Sequence, residues 1–218
     1  LLTTLFMCSF NLQAKDAPTI LVSIAPYKNF VERIAADTVA VNLMVPAGAS
    51  AHTYEPTPKQ MMAAGKATAW FVIGESFESR VIPSLKAYHP EMAIVDLRHG
   101  VNMINADPET GCCCCHANSQ DLHIWLSARQ VEIQVRTIAM ALSKLFPENA
   151  ELYKKNLEIL VQELKALDQQ IITLLKPLKN RLILVSHPAY AYFCRDYDLK
   201  QMSIEFEGKD PTPQQLTN

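Results

Sequence analysis

Short runs rich in β-branched residues alternate with segments of helical periodicity along the first hundred residues. No other feature of the sequence narrows the fold so far. Strands are predicted at Thr19 to Ile24, Val39 to Val45, Ala69 to Ile73 and Ala93 to Leu97, with helices between them at Tyr27 to Ala35, Pro58 to Ala64 and about Ser79 to Tyr88. Strand–helix–strand alternation of this kind signals α/β structure with a parallel sheet. The second helix is the best specified. Thr57 can cap it, Pro58 suits the first helical position, Gln60 completes a capping box and Gly65 follows as a stop.

From Ser127 the pattern changes. Ala128 to Leu145 reads as one helix, and Pro147 opens a longer one ending near Pro177, in which Tyr153, Leu157, Leu160, Leu164, Leu167, Ile171 and Leu174 recur at spacings of four and three. A coiled-coil seam is one reading, though the stripe covers only about three heptads. A helix of ~30 residues is ~45 Å long, about the height of two small domains, so a spine packed against both is the preferred reading.

Beyond the spine the chain repeats itself. Ile20-Leu21-Val22-Ser23 with Pro26, Tyr27 and Phe30 echoes Ile183-Leu184-Val185-Ser186 with Pro188, Tyr190 and Phe193. Glu55-Pro56-Thr57-Pro58 echoes Asp210-Pro211-Thr212-Pro213 in the same order. The interval from Ile20 to Thr57 is 37 and that from Ile183 to Thr212 is 29, so the first copy carries eight extra residues, expected in the loop that holds His52. The second copy reaches only the start of its second helix at Asn218; roughly 60 to 80 further residues would complete a lobe of ordinary size. The expected fold is therefore α/β, two lobes with parallel four-stranded sheets joined by a long rigid backbone helix, the second lobe truncated. Its expected divisions are 1–14, a signal remnant; 17–127, an N-terminal lobe; 128–177, helices that include the linking helix 147–177; and 178–218, the start of a C-terminal lobe.

A formal net charge of −2, with no Lys/Arg run, argues against a nucleic-acid binder. Leu1 to Phe10 is apolar but too short to span a bilayer, and it runs into Asn11-Leu12-Gln13-Ala14, which reads as the small-residue ending of an export signal, with a buried strand or helix as the alternative. Leu5-Phe6-Met7-Cys8 approaches a lipoprotein attachment box, with Met7 where a small residue is wanted. The chain is expected to be exported, periplasmic or membrane-anchored on the outer side.

Three histidines carry the candidate chemistry. His52 lies in a loop after the second strand, His187 directly follows Leu182 to Val185, and His123 precedes a capped helix. Ligand sites of parallel α/β sheets form outside the carboxyl ends of the strands, and neutral imidazole is a common ligand for zinc and related metals. Taken singly, each is more commonly a satisfied structural histidine; taken together at the crevice edge, one shared site and three separate structural histidines are equal readings.

Ala47-Gly48-Ala49-Ser50-Ala51-His52-Thr53-Tyr54-Glu55-Pro56-Thr57-Pro58 resembles the first metal motif of the ZnuA/TroA/PsaA-like solute-binding proteins of ABC importers. Asp121-Leu122-His123-Ile124-Trp125-Leu126-Ser127 resembles the second, and Ser186-His187-Pro188-Ala189-Tyr190-Ala191-Tyr192-Phe193 the third. The resemblance runs in order from about Ala17 to Leu216. It implies two lobes on a rigid helix and a metal ion between them, held by His52, His123 and His187. It also implies a fourth, carboxylate ligand, which no position up to Asn218 matches and which is expected beyond residue 218. Zinc is favoured as the ion, with manganese or iron as alternatives. The implied partner is the membrane permease of a metal ABC transporter, and the chain is expected to be a monomer. Ala51 stands where some zinc members have a glutamate, and Leu122 and Ala128 stand where prolines are common.

Cys112-Cys113-Cys114-Cys115-His116 lies where zinc members often carry a histidine-rich insertion. It is read as an auxiliary loop capturing zinc or copper(I), or equally as an exposed loop forming disulfides after export. Cys112-x-x-Cys115-His116 also fits c-type haem attachment formally. Cys194 is expected in the core. Glu75 and Glu78 are expected at a solvated helix entry, and His89, His99 and Trp70 in structural roles. A zinc-dependent hydrolase is the rival from another class, since three histidines with an open position also describe catalytic zinc. No His-Glu-x-x-His or Gly-x-Ser-x-Gly occurs in the sequence, so no enzyme activity is expected. A metal-binding surface adhesin on the same scaffold is the third reading.

Overall fold

The structure is a computed structural model that describes residues 17–105 and 120–204. The signal remnant with its Cys8 box, the Cys112 to Cys115 run with His116, and the repeat at Asp210 to Leu216 lie outside the described residues.

Four short strands, β1 (Thr19–Val22), β2 (Ala40–Leu43), β3 (Ala69–Val72) and β4 (Ala93–Asp96), form one parallel sheet in the order β2-β1-β3-β4. Helices α1 (Ala25–Ala35), α2 (Pro58–Ala64) and α3 (Ser76–Tyr88) make the crossovers. The β3 side chains are buried throughout, as expected of a central strand in a sheet covered on both faces. The Thr57–Gln60 capping box forms as read, with the Thr57 side chain accepting from the Gln60 amide and the Gln60 side chain accepting from the Thr57 amide. Helix α3 begins three residues before the expected start, with Glu75 at its N-cap position.

Helix α4 (Ala128–Leu145) packs against α1, and a short 3-10 turn at Pro147–Asn149 leads into α5 (Ala150–Leu175). The 26 residues of α5 make a rod ~39 Å long. Its first half is packed: Tyr153, Leu160 and Leu164 are buried against α1 and α4, Tyr153 Oη lies 2.9 Å from Thr38 Oγ1, and Asn156 donates to the Ile34 carbonyl. The apolar stripe outruns this cover, since Leu167 is exposed and Leu174 is 72% exposed. Among the described residues, the buried apolar side chains of the helix thus end at Leu164.

Strand β5 (Leu182–Val185), helix α6 (Ala191–Asp196) and strand β6 (Lys200–Ser203) follow, with β5 and β6 parallel. This unit repeats β1-α1-β2. Ile20 pairs with Val41 and Ile183 with Gln201, intervals of 21 and 18 residues. Three of the eight extra residues of the first copy therefore precede its second strand, where the longer α1 sits, and five lie in the loop that follows. The expectation that all eight belong to the His52 loop is corrected accordingly. Among the described residues the second sheet has two strands, not four.

Helix α6 is fastened to α4 by polar contacts. The Asp196 carboxylate accepts from Ser127 Oγ at 2.5 Å and Gln130 Nε2 at 2.7 Å, and Arg129 reaches both Asp168 on α5 and the Asp196 carbonyl. Ser127 occupies the N-cap position of α4 but makes no side-chain cap, because its hydroxyl is committed to Asp196. Cys194 is buried in α6, as expected of a core thiol.

Candidate metal centre

Each of the three histidines is delivered by a different element. His52 sits in a 3-10 turn, Ala51–Thr53, within the loop from β2 to α2. That loop bends at Gly48, whose φ of +84° suits a residue without Cβ. His123 lies at the entrance to the 3-10 turn Ile124–Leu126 that feeds α4, and its ring packs 5.3 Å from that of Trp125. His187 follows the last residue of β5 by two positions.

The fold brings all three together. One ligand nitrogen from each lies within 4.8 Å of the other two, and the ring centroids are separated by 5.1 to 5.8 Å. They face a cleft of about 490 Å³ walled by Val45, Pro46, Glu75, Trp125 and Ala189. His123 is buried, whereas His52 and His187 keep partial access to solvent. A ring on the first-sheet side and a ring on the second-sheet side thus meet across one opening.

Two of the imidazoles are backed by carboxylates. Asp121 Oδ1 accepts from the His123 amide and lies 2.8 Å from His123 Nδ1, which leaves Nε2 turned to the cleft, 3.2 Å from His187 Nε2. Asp121 is held in turn, because its carbonyl accepts a 2.6 Å bond from the buried Tyr192 hydroxyl of α6. Glu75 Oε2 lies 3.3 Å from His52 Nδ1. Carboxylates in this position fix the tautomer and orientation of a metal-ligating imidazole.

Glu75 and Glu78 do not form a solvated helix entry. They are 3% and 2% exposed. Glu78 folds back on the turn after β3, where its carboxylate accepts from Ser23 Oγ and from the amides of Ile73 (3.1 and 3.2 Å) and Gly74 (2.6 Å). Burial nevertheless pushes its pKa up to about 7; these hydrogen bonds oppose the shift and the Glu75 charge adds to it. The signal that places Glu75 was available: it follows the carboxyl end of β3, the same edge of the sheet that singled out His52. Trp70 has a structural role, donating to Ser23 Oγ from the buried sheet.

An α/β scaffold with converging imidazoles at the strand ends, backed by buried carboxylates, defines a cleft-type metal-binding protein. The family model described as zinc-uptake complex component A, periplasmic (ZnuA), matches residues 20–218, and the chain belongs to that family of metal-binding solute-binding proteins. A Chlamydia trachomatis serovar D protein, named provisionally for metal binding, is 38% identical over 201 residues, covering 91% of this chain and 68% of that protein. A crystal structure of ZnuA has a TM-score of 0.83 at 39% identity and covers 93% of this chain and 76% of that one. A ZnuA deletion mutant with zinc bound has a TM-score of 0.81 at 40% identity, over 93% and 75% of the two chains. Among the described residues, no helix is long and apolar enough to cross a membrane.

Proposed function

We propose that this chain captures a divalent transition metal outside the cytoplasm, zinc above manganese or iron, and hands it to the permease of an ABC importer. The ion is cargo, and His52, His123 and His187 are its ligands. One observation carries the reading: three imidazole nitrogens from three elements lie within 4.8 Å of one another in a cleft between two sheets. Three neutral imidazoles suit zinc and leave one position of a tetrahedron for an oxygen ligand. The family's description as a zinc-uptake component, and the relative solved with zinc, support the choice of ion.

Metal analysis of protein purified without chelator, with isothermal titration, tests this. About one zinc per chain is expected, with binding lost or weakened by orders of magnitude in His52→Ala, His123→Ala and His187→Ala. Stoichiometric zinc retained at unchanged affinity in all three variants would refute the site.

A further inference from the structure

Glu75 is an unusual residue to bury. One carboxylate oxygen faces His52 Nδ1, and the other, Oε1, is buried and has no hydrogen-bond partner among the described residues. A carboxylate oxygen left without a partner away from water is costly. A side chain kept only for packing would be better as an amide or an apolar group. The backbone that presents Glu75 is also held with care, since Glu78 clamps the amides of Ile73 and Gly74 immediately before it. Gly74 itself sits at a φ of +96°.

We infer that Glu75 is a positioning residue for the metal site: it holds His52 with Nδ1 as donor and Nε2 turned to the cleft. This rests on the metal-binding reading above. The arrangement duplicates Asp121 behind His123, so two of the three imidazoles are aimed by buried carboxylates. Glu75 does not belong to the group whose ligand atoms lie within 4.8 Å of one another, so the geometry places it behind His52 and not on the ion.

The test compares wild type, Glu75→Gln and Glu75→Ala by zinc competition against a chromophoric chelator, by melting of the metal-free proteins and by X-ray absorption of the zinc-loaded ones. Loss of such a supporting carboxylate typically weakens metal binding about 10–100-fold, so Glu75→Ala should fall in that range, with Glu75→Gln between it and wild type. Metal-free Glu75→Gln should melt at or above the wild-type temperature, because an amide is less costly than a carboxylate to leave without a partner away from water, and the zinc coordination shell should be unchanged. Equal affinity in all three proteins would overturn the inference. So would a lower melting temperature for metal-free Glu75→Gln, which marks a structural role, or an oxygen ligand lost in that variant, which marks a direct ligand. Should Glu75→Ala not fold, the near-isosteric Glu75→Gln carries the comparison alone. Wild type that binds no zinc refutes the parent reading; wild type that binds, with indifferent variants, refutes only this one.

Discussion

Glu78→Gln isolates the cost of burying a carboxylate beneath the site. The Glu78 pKa rises from an ordinary 4.5 to about 7, chiefly through desolvation, even with Ser23, Ile73 and Gly74 donating to it. A group whose folded pKa is raised binds its proton more tightly in the folded state. Its favourable contribution is complete below about pH 4.5 and is lost as pH climbs through about 7. The interval from 4.5 to about 7 corresponds to roughly 3 kcal/mol. Glutamine cannot ionise, so the stability of Glu78→Gln relative to wild type should increase by up to roughly 3 kcal/mol between pH 4.5 and pH 8. A constant offset is expected beneath this trend, of about 1–3 kcal/mol, because the new amide replaces an acceptor near two backbone N–H groups. Urea unfolding of the metal-free proteins, followed by the fluorescence of buried Trp70 at half-unit pH steps, reads the difference. Two curves that stay parallel across that range would refute the reasoning, whatever their offset.

Two further outcomes concern the scaffold. Gly74→Ala should lower stability by about 1–2 kcal/mol: φ is +96°, and the added Cβ would collide with the Arg98 guanidinium. The shift in urea midpoint measures it. Leu160→Ala, at a side chain only 2% exposed, should cost about 2–5 kcal/mol, whereas Leu174→Ala should change stability by less than about 0.5 kcal/mol. Equal effects would contradict the half-packed α5.

Much of the fold was legible because its signals are local. The four strands of the first sheet lie where β-branched runs stand, and α4 spans the range its periodicity marks, Ala128–Leu145. The capping box at Thr57 needs only four residues to specify it. The stripe on α5 was equally visible, but periodicity identifies an apolar face without saying what covers it, and the cover ends before Leu167. The glutamates were misread for a related reason. Their charge is written in the sequence, whereas the inward-pointing amides of Ile73 and Gly74 that admit Glu78 arise from the shape of a turn. That His52, His123 and His187 lie near strand ends or helix entrances followed from alternation and motif. Their meeting depends on how the two sheets are set against each other, which no local pattern encodes. The polar fastening of Asp196 to Ser127 and Gln130 spans 69 and 66 residues and left no trace in the motifs.

The length of α5 sets a mechanical tolerance. A rod ~39 Å long that tilts by only ~1.5° carries its far end about 1 Å sideways, and metal–ligand distances tolerate about 0.2 Å. If His52, His123 and His187 hold one ion as proposed, the helix that joins the first sheet to the strand leading to His187 must hold its direction to a fraction of a degree. Its anchors read as braces for that purpose: Tyr153 on Thr38, Asn156 on Ile34, Glu163 on Arg33 and Asp168 on Arg129 are spaced along the shaft. A strut guyed at four heights would keep the two halves of the proposed coordination sphere in register at rest. It also converts any small slip at its base into a displacement large enough to pull an imidazole away from an ion.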